Sequence, residues 1–396
     1  MQLAYPAIRL KKGKERSVLL RHPWIFSGAI LSEPTSINEG DIVQVLANDG
    51  TYLATGHFHK GTITVRCFDF NEVPVDDNFF RGKIRAALEL RKALHLPSDS
   101  TNCYRLIHGE GDGMPGLIAD VYGNTLVMQT YTLGMHKFKP ALCQIILEEI
   151  PDIEAIYDKS IETMSKHGTT IEADHFLFQK QGYAPYDFVV ENGLKYSIDF
   201  INGQKTGFFL DQRDNRFLLR QYSKDKNVLN TFCYTGGFSI SALAGGAQSV
   251  DSIDSSKRAL VSLEDNLKLN ELSDNHTSYG EDVMSYLKKC EKQYNVIVLD
   301  PPAYAKHLNQ VSNAMVGYRN LNTEGLKRIE KGGILFTFSC SQAVDKELFR
   351  KLVFQSAIQA KREVKILHQL SQPADHPVSI FHPEAEYLKG LVLFVN

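Results

Sequence analysis

The stretch from residue 227 to residue 254 constrains the fold of this chain most, because it reads as a strand, a tight turn, a helix and a second strand. Residues 228–233 are a short apolar run of β-forming character, and residues 234–237 (YTGG) interrupt it. Residues 238–243 have helical character, and the strand that follows ends on Asp254. This order is half of a nucleotide-binding βαβ unit, in which small residues let a ligand approach the backbone and a carboxylate can hold ribose hydroxyls.

The composition of the turn narrows the class of cofactor. It lacks the G-x-G-x-x-G pattern that binds a pyrophosphate, which disfavours a dinucleotide. S-adenosylmethionine has an adenosine but no phosphate, and it needs only the turn and the acid. We therefore predict that this cofactor contacts Phe232, Tyr234, Gly236 and Asp254. A Gly-Gly turn also occurs in simple strand–helix connections, so the prediction depends on what the rest of the chain contains.

Length, charge and cysteine spacing exclude several classes of protein. A chain of 396 residues should make two or three domains, and its formal net charge of −2 means that any nucleic-acid surface must be local. The six cysteines contain no C-x-x-C pair, which predicts free thiols in a reducing cytoplasm without disulfides or structural zinc. No signal peptide or membrane-spanning run is evident. We expect a cytoplasmic protein without metal or membrane partners, and the sequence leaves monomer and homodimer both open.

Residues 1–72 are predicted to form a small β-rich barrel, because strand-like runs alternate with turn signals. The start of this segment is locally basic and is followed by an aromatic residue, a combination that suits a single-stranded RNA platform. The residues predicted to bind RNA are Arg9, Lys11, Lys12, Lys14, Arg21 and Trp24. The alternative interpretation is a solvated charged edge with Trp24 in the core.

Two further domains are predicted, an α+β middle domain over residues 73–182 and an open, doubly wound α/β sheet over residues 183–396. We expect the middle domain to position other parts of the protein. The polar cluster at residues 205–216 directly precedes the nucleotide unit, so Lys205 and Gln212 are predicted to line the mouth of the cofactor site. A second interpretation of this cluster is the start of a helix with Asp211 as its N-cap. The two interpretations do not exclude each other.

Marked residues follow several strands of the predicted sheet. Asp254, the Asp300-Pro-Pro turn and Cys340 each come directly after an apolar run, and Asp282 lies where a further strand should end. Because ligands of open α/β sheets bind at the carboxyl ends of the strands, we expect these residues to share a crevice. Cys340 precedes a helix, whose positive end would ease ionisation of the thiol. The alternative for Cys340 is a small buried residue, the usual place of a free cysteine.

Four segments together carry a family resemblance: residues 205–213 (KTGFFLDQR), 230–238 (NTFCYTGGF), 300–304 (DPPAY) and 338–341 (FSCS). In this order they resemble the PUA-domain 23S ribosomal RNA (cytosine-5)-methyltransferase family, and the likeness extends over essentially the whole chain. The resemblance implies a Rossmann-like class I methyltransferase sheet, preceded by a small β-barrel (PUA) domain and an α+β middle domain. It also implies 23S ribosomal RNA as substrate and S-adenosylmethionine as methyl donor.

The resemblance further implies that Cys340 is a nucleophile, since carbon 5 of cytosine is too weakly nucleophilic to attack a sulfonium unaided. This chain departs from a feature of many RNA 5-methylcytosine enzymes, which have a second cysteine after the Asp-Pro motif for the release step. Here Pro302 and Ala303 follow instead, which leaves Asp300 as the candidate for the base that removes the C5 proton. Asp300 is also predicted to contact the cofactor.

Three other functions compete with this prediction. Transfer to an exocyclic amine such as guanine N2 would suit the Asp-Pro-Pro-Ala-Tyr segment and would leave Cys340 inert. An NAD-dependent oxidoreductase is weakened by the absence of the glycine fingerprint. A non-catalytic RNA-binding protein would leave the alignment of Asp254, Asp300 and Cys340 at strand ends unexplained.

Overall fold

The computed structural model describes residues 5–33, 36–165, 173–305 and 311–396. The chain forms two compact units, and each is built from more than one segment. Unit 1 contains Met1–Val189, Ile198–Phe208 and Ala374–Ala385, and unit 2 contains Val190–Ser197, Phe209–Pro373 and Glu386–Asn396.

The first sheet of unit 1 has six strands in the order β2-β6-β5-β4-β1-β3. Its bounds are β1 Ala7–Leu10, β2 Trp24–Phe26, β3 Ile30–Ser32, β4 Ile42–Leu46, β5 Tyr52–Phe58 and β6 Ile63–Asp69, with the short helix α1 at Arg16–Leu19. Fully buried aliphatic side chains such as Ile8, Val43 and Val65 form its core. β1 alternates exposed and buried residues, whereas most residues of β4, β5 and β6 are buried.

The second sheet of unit 1 has five strands in the order β11-β10-β9-β8-β7. The bounds are β7 Cys103–His108, β8 Leu117–Tyr122, β9 Thr125–Thr130, β10 Ala155–Asp158 and β11 His175–Gln179, with helices α2 Asp77–Ala93, α3 Leu133–Glu149 and α4 Ile161–Met164. Phe80 and Ile84 on α2 and Leu142 on α3 are buried in one apolar cluster with residues of this sheet. A hairpin with Gly123 and Asn124 in its turn joins β8 to β9.

The segment Ala374–Ala385 completes unit 1 from the far end of the chain. Asp375 anchors it, because the Asp375 carboxylate accepts a hydrogen bond from the backbone N–H of Arg105 at 2.9 Å. The backbone carbonyl of Asp375 accepts a second bond, at 2.7 Å, from the buried guanidinium of Arg91. Arg91 also forms an ion pair with Asp112. The segment Ala374–Ala385 is therefore bonded to a side chain that is also paired within the first part of unit 1.

Unit 2 contains a seven-stranded sheet in the order β16-β15-β14-β17-β18-β20-β19. Its strands are β14 Asn227–Thr231, β15 Ser249–Ile253, β16 His276–Tyr279, β17 Tyr294–Leu299, β18 Ile329–Ser339, β19 Val364–Leu370 and β20 Lys389–Val395. The first five are parallel to one another, and β20 is antiparallel to both of its neighbours. A hairpin of β12 Val189–Glu191 and β13 Leu194–Tyr196, with Asn192 and Gly193 in its turn, precedes the sheet.

Helices connect the parallel strands of unit 2. They are α5 Arg213–Tyr222, α6 Gly237–Ala244, α7 Lys257–Leu269, α8 Val283–Lys289, α9 Val311–Arg328 and α10 Lys346–Ala360. The side chains of Val296 to Leu299 in β17 are fully buried, as expected for a central parallel strand that is covered on both faces. One face of α7 is buried, with the side chains of Ala259, Leu263 and Leu267.

The predicted open α/β sheet is therefore confirmed, including its last two strands, and so are the β-rich start and the α+β region that follows. The division into three domains at residues 72 and 182 stays a prediction, since unit 1 contains both sheets of the first two. Within the described ranges, no helix has the length and apolar character that crossing a membrane requires.

Gly236 shows how tightly the nucleotide turn is packed, and it allows a test. Its φ is +85°, and a Cβ there would lie 2.7 Å from Cγ of Leu263 on α7. Gly193 has a similar φ of +79° but open space around the same position. We expect Gly193→Ala to lose about 1–2 kcal/mol of unfolding free energy from the left-handed backbone alone. Gly236→Ala should lose about 1–3 kcal/mol more, from overpacking.

Urea unfolding of the two glycine variants and the wild type measures this difference. Equal losses for Gly236→Ala and Gly193→Ala would contradict the close contact between the turn and α7.

Candidate functional site

The carboxyl ends of four neighbouring parallel strands form one edge of the unit 2 sheet. Thr231 at the end of β14 is in register with Ile253 of β15 and with Leu299 of β17. Leu299 is in turn in register with Thr337, near the end of β18. The residues that follow these strands therefore lie along the same edge, as the sequence predicts for the turn at 232–236, Asp254, Asp300 and Cys340.

The turn after β14 has an unusual backbone. Phe232, Tyr234 and Gly236 all have a positive φ, of 54°, 48° and 85°. Left-handed conformations of residues other than glycine cost about 1 kcal/mol or more each and persist only where the surroundings hold them. Such strain is concentrated at ligand sites, which agrees with the prediction that Phe232, Tyr234 and Gly236 contact a cofactor. The turn also buries Thr235, whose hydroxyl oxygen has no hydrogen-bond partner.

Asp254 braces this turn. One oxygen of its carboxylate accepts a hydrogen bond from the backbone N–H of Tyr234 at 2.9 Å, and the other accepts one from the N–H of Ser256 at 2.8 Å. Because a carboxylate has about four acceptor sites, the half-buried Asp254 can still accept from hydroxyls of a ligand. The structure thus adds a positioning role to the ribose-binding role predicted from the sequence.

Asp300 is half-buried and lies near a second carboxylate, that of Asp211. Burial and the negative charge of Asp211 raise the pKa of Asp300 to about 7, although the side chain of Gln212 donates a hydrogen bond that opposes the shift. Gln212 is itself buried, and its amide oxygen accepts a hydrogen bond from Asn215 at 2.6 Å. The predicted site residues Gln212 and Asp300 are therefore in direct contact.

Asp211 does not cap α5, and that interpretation of the sequence is wrong. The N-cap position is Gln212, and no side-chain hydrogen bond caps the helix. The reason is that residues 210–212 form a single 3-10 turn before α5 begins. One Asp211 oxygen instead accepts a hydrogen bond from the Tyr387 hydroxyl at 2.7 Å, and the other is buried without a hydrogen-bond partner.

Cys340 lies beside the Asp300 turn, with its Sγ 3.9 Å from the carbonyl oxygen of Pro301. Burial raises the pKa of the Cys340 thiol to about 12, and the charges of Asp300 and Asp211 act in the same direction. The expectation that a helix terminus eases ionisation of the Cys340 thiol is therefore wrong. The helix α10 begins only at Lys346, and the side chain of Asp345 already caps its first turn at 2.7 Å from the N–H of Leu348.

Lys389 is the residue that sequence analysis missed. It starts β20 in register with Ser339, and its ammonium donates to the carbonyl oxygens of Ser341 at 2.7 Å and Tyr387 at 2.6 Å. Burial lowers the pKa of Lys389 to about 8, and its positive charge acts to lower the pKa of Cys340. The signal in the sequence was a single lysine at the head of an apolar strand.

The other predicted cofactor residues occupy different surroundings. Asp282 is exposed and accepts a hydrogen bond from the N–H of Ser285 at 2.8 Å as the N-cap of α8. It follows β16, whose end is in register with Ile253. Lys205 belongs to unit 1, where it has a positive φ of 53°.

The predicted RNA-binding residues all lie in unit 1. The basic side chains are exposed, namely Arg9, Lys11, Lys12, Lys14 and Arg21. Trp24 is half-buried, with its indole N–H donating to Glu110 at 2.7 Å and the guanidinium of Arg66 lying 5.0 Å from its ring centroid. Trp24 is therefore not the exposed aromatic that the sequence suggested, because residues distant in the chain cover part of it.

The arrangement in unit 2 fits a cationic, nucleoside-like cofactor. Asp211 and Asp300 repel each other, and one Asp211 oxygen has no hydrogen-bond partner, so a positive charge nearby would relieve both conditions. S-adenosylmethionine has a sulfonium and an ammonium group, and its ribose needs an acceptor such as Asp254. Residues of the strained turn and of the acidic pair would hold it.

Comparisons with known proteins show which family the chain belongs to. Residues 175–391 match the S-adenosylmethionine-dependent methyltransferase family, and residues 8–70 match the PUA-like domain family. Ribosomal RNA large subunit methyltransferase I of Shewanella frigidimarina is 40% identical, over 97% of this chain and 98% of the relative. The protein of the same name from Cronobacter sakazakii is 38% identical, over 98% of each chain.

Solved structures share the fold. A Streptococcus mutans protein described as a SAM-dependent methyltransferase has a TM-score of 0.85 and 22% identity, covering 98% of this chain and 100% of its own. Another methyltransferase structure, in complex with SAH, has a TM-score of 0.86 and the same identity and coverage. The chain therefore belongs to the S-adenosylmethionine-dependent methyltransferases, in the family of ribosomal RNA large subunit methyltransferase I, and S-adenosylmethionine is its cofactor.

Proposed function

We propose that this protein methylates C5 of a cytosine in 23S ribosomal RNA through a covalent adduct with Cys340. The names of its relatives support ribosomal RNA of the large subunit as the substrate. The observation that carries the cysteine mechanism is the position of Cys340, whose Sγ lies 3.9 Å from the carbonyl oxygen of Pro301 in the turn that begins with Asp300. The proposed nucleophile, Cys340, and the candidate base, Asp300, thus follow the ends of two neighbouring strands, β18 and β17.

The chemistry requires a nucleophile because C5 of cytosine is not reactive enough alone. The Cys340 thiolate adds to C6, and the electrons of the C5–C6 double bond move to C5, which then takes the methyl group. S-adenosylmethionine supplies that methyl group from its sulfonium cation. A base removes the proton from C5, the bond between Sγ and C6 breaks, and the double bond and the thiolate are restored.

The high pKa of Cys340 means that the thiol must be activated when the substrates bind. Its ionisation is opposed by burial and by the carboxylates of Asp300 and Asp211. Cys340 loses its proton more easily once these carboxylates face a cation, because the cation offsets their charge. The ammonium of Lys389 acts in the same direction and is present before any ligand binds.

Asp300 is our candidate for the base that removes the C5 proton. A general base works best when its pKa lies near the working pH, and burial raises the pKa of Asp300 to about 7. The Asp300-Pro-Pro sequence also fixes the backbone at this strand end, since proline restricts both its own φ and the residue before it.

Methylation of an exocyclic amine such as guanine N2 is the second candidate function, and one observation favours it. A thiol with a pKa of about 12 is almost entirely un-ionised at neutral pH, as an inert cysteine would be. The Asp300-Pro-Pro turn would then orient the amine. The Tyr304 ring, which would stack on the base, has its centroid 4.7 Å from that of the Tyr318 ring.

We further propose that the domain of residues 1–72 binds the RNA through Arg9, Lys11, Lys12, Lys14 and Arg21, with Trp24 at the side of this basic stretch. Residues 73–182 form the middle domain, and residues 183–396 form the methyltransferase domain. Within the cofactor site, Asp254 binds the ribose hydroxyls and Asp282 lies near the adenine amine. Gln212 or Lys205 lies near the methionine end.

Removal of the Asp254 carboxylate should weaken cofactor binding. We expect Asp254→Ala to cost about 1.5–3 kcal/mol of binding free energy, because a charge-assisted contact is lost. Calorimetry with S-adenosylmethionine measures this loss, and Asp274→Ala, at an exposed carboxylate, is the matched control. Asp254→Asn keeps the size of the side chain. Circular dichroism of both Asp254 variants shows whether the turn has collapsed. Unchanged affinity in Asp254→Ala would contradict the assignment.

The covalent mechanism predicts different fates for two variants. Cys340→Ala should lose methylation and RNA capture by at least 100-fold, because no adduct forms. Asp300→Asn keeps the shape but loses the base, so it should slow turnover and accumulate a protein–RNA adduct. A denaturing gel with labelled RNA shows this adduct as a retarded band, and the band should disappear in the double variant.

Cys290→Ala is the control for the thiol, since Cys290 is half-buried like Cys340 but lies after α8. It should methylate normally. Full activity in Cys340→Ala would exclude the covalent mechanism and favour the exocyclic amine. If only the Asp300→Asn adduct is missing, the nucleophile stands and another group is the base.

The basic stretch predicts a change in salt dependence. Replacing Lys11, Lys12 and Lys14 by Ala should weaken RNA binding and reduce the slope of log affinity against log salt by about 2, at ~0.7 per phosphate contact with a single strand. Cofactor affinity should not change. The control is Arg81→Ala with Arg85→Ala, whose guanidinium groups are paired with Glu148 and Glu149. An unchanged slope in the lysine variant would assign this domain another task.

A further inference from the structure

Three side chains of unit 1 gather metal-ligand atoms at one point, although they lie far apart in the sequence. Nε2 of His22 is 3.2 Å from a carboxylate oxygen of Glu384, and Nε2 of His382 is 3.8 Å from the same oxygen. One ligand atom from each residue can be chosen so that all three lie within 4.8 Å of one another. It is the one group of three His, Cys, Asp or Glu with this spacing in the described part of the chain.

His382 is the observation that points to a ligand. The residue is 1% exposed, and neither ring nitrogen has a hydrogen-bond partner. An imidazole always carries a donor or a lone pair on each nitrogen, and leaving such groups buried and unpaired is costly. A buried, unpaired imidazole whose Nε2 faces a carboxylate at 3.8 Å is explained if that nitrogen binds an ion between the two.

His22 is held by the backbone of Trp24 through Nδ1 and is directed toward Glu384 through Nε2. Its Nδ1 lies 3.2 Å from the backbone carbonyl oxygen of Trp24 and accepts a hydrogen bond from the backbone N–H of the same residue at 3.1 Å. While Nδ1 accepts that bond, a neutral His22 carries its proton on Nε2, 3.2 Å from a Glu384 oxygen. An ion at Nε2 requires the other tautomer, in which Nδ1 donates to the Trp24 carbonyl oxygen, and a backbone carbonyl is a common outer partner of metal-ligating histidines.

We infer that His22, His382 and Glu384 form a binding site for a divalent transition-metal ion of the zinc type. Two imidazoles and a carboxylate are ligands that Zn²⁺ prefers, at about 2.0–2.2 Å from the metal. Ligand atoms around such a tetrahedral ion are roughly 3.4 Å apart, so the observed 3.2 Å and 3.8 Å need little adjustment. None of the three ligands is a cysteine. The spacing of the cysteines in the sequence therefore could not reveal this site.

The ion would join the start of β2 to the segment Ala374–Ala385 within unit 1. Glu384 is about half exposed, so the fourth coordination position is open to water or to a ligand. The Trp24 ring lies 4.3 Å from the His382 ring, which places the ion next to the aromatic residue beside the basic stretch. The site would therefore fix the residues that surround the proposed RNA-binding surface.

Trp24 is the single tryptophan of the chain and serves as a reporter for this site. We test the inference on the full chain without a histidine tag, after removal of metals with a chelator. ZnCl₂ is titrated while calorimetry and tryptophan emission are recorded. We expect binding of one Zn²⁺ per chain with a change in emission that saturates at the same ratio, and no such change with Mg²⁺.

Glu384→Gln and His382→Asn should each weaken Zn²⁺ binding at least tenfold and abolish the emission change. The controls Glu72→Gln and His175→Asn, at exposed positions outside the cluster, should behave like the wild type. Glu384→Gln alters an exposed carboxylate, and unchanged affinity for S-adenosylmethionine verifies that each variant is folded. Undiminished Zn²⁺ binding in folded Glu384→Gln, or Zn²⁺ binding without any change in Trp24 emission, would overturn the inference.

Discussion

The half-buried carboxyl groups of Asp211 and Asp300 lie close to each other and to the Cys340 thiol, and this limits how much negative charge the site can hold. Near neutral pH the site keeps protons on Cys340 and on a large fraction of Asp300, because burial and mutual repulsion penalise their ionised forms. Lys389 compensates for only part of the charge, since burial weakens its own hold on a proton. A cationic cofactor is then an electrostatic component of the site as well as a methyl donor.

The parallel register of β15, β14, β17 and β18 brings these groups together. Much of this arrangement was predictable, because buried parallel strands are apolar runs of recognisable length and the residues after them must lie at one edge. Asp254, Asp300 and Cys340 could be chosen on that basis. Lys389 and Asp211 could not, since Lys389 comes from an antiparallel strand at the far end of the chain, and Asp211 looked like a helix cap.

The ionisation of the Cys340 thiol and the solvent exposure of Trp24 were harder to predict than the positions of site residues along the sheet. The sequence showed that Cys340 precedes a helix, but the balance between the helix terminus and burial depends on packing from distant elements, and burial is stronger. Trp24 is a similar case. Its neighbours Arg66, Glu110 and His382 are far away in sequence, so no local pattern could reveal that they cover part of the ring. Clusters assembled from distant residues, including the proposed metal site, are invisible to spacing rules for the same reason.

Unit 1 is discontinuous, and this affects how the protein is made. The segment Ala374–Ala385 contributes Asp375, which accepts hydrogen bonds from Arg91 and Arg105, after nearly all of unit 2 has been translated. During synthesis, the amino-terminal part therefore leaves the ribosome with the buried guanidinium of Arg91 lacking one of its acceptors. The two units cannot mature one after the other, and the amino-terminal one reaches its final hydrogen bonding only when the last strand, β20, is about to emerge.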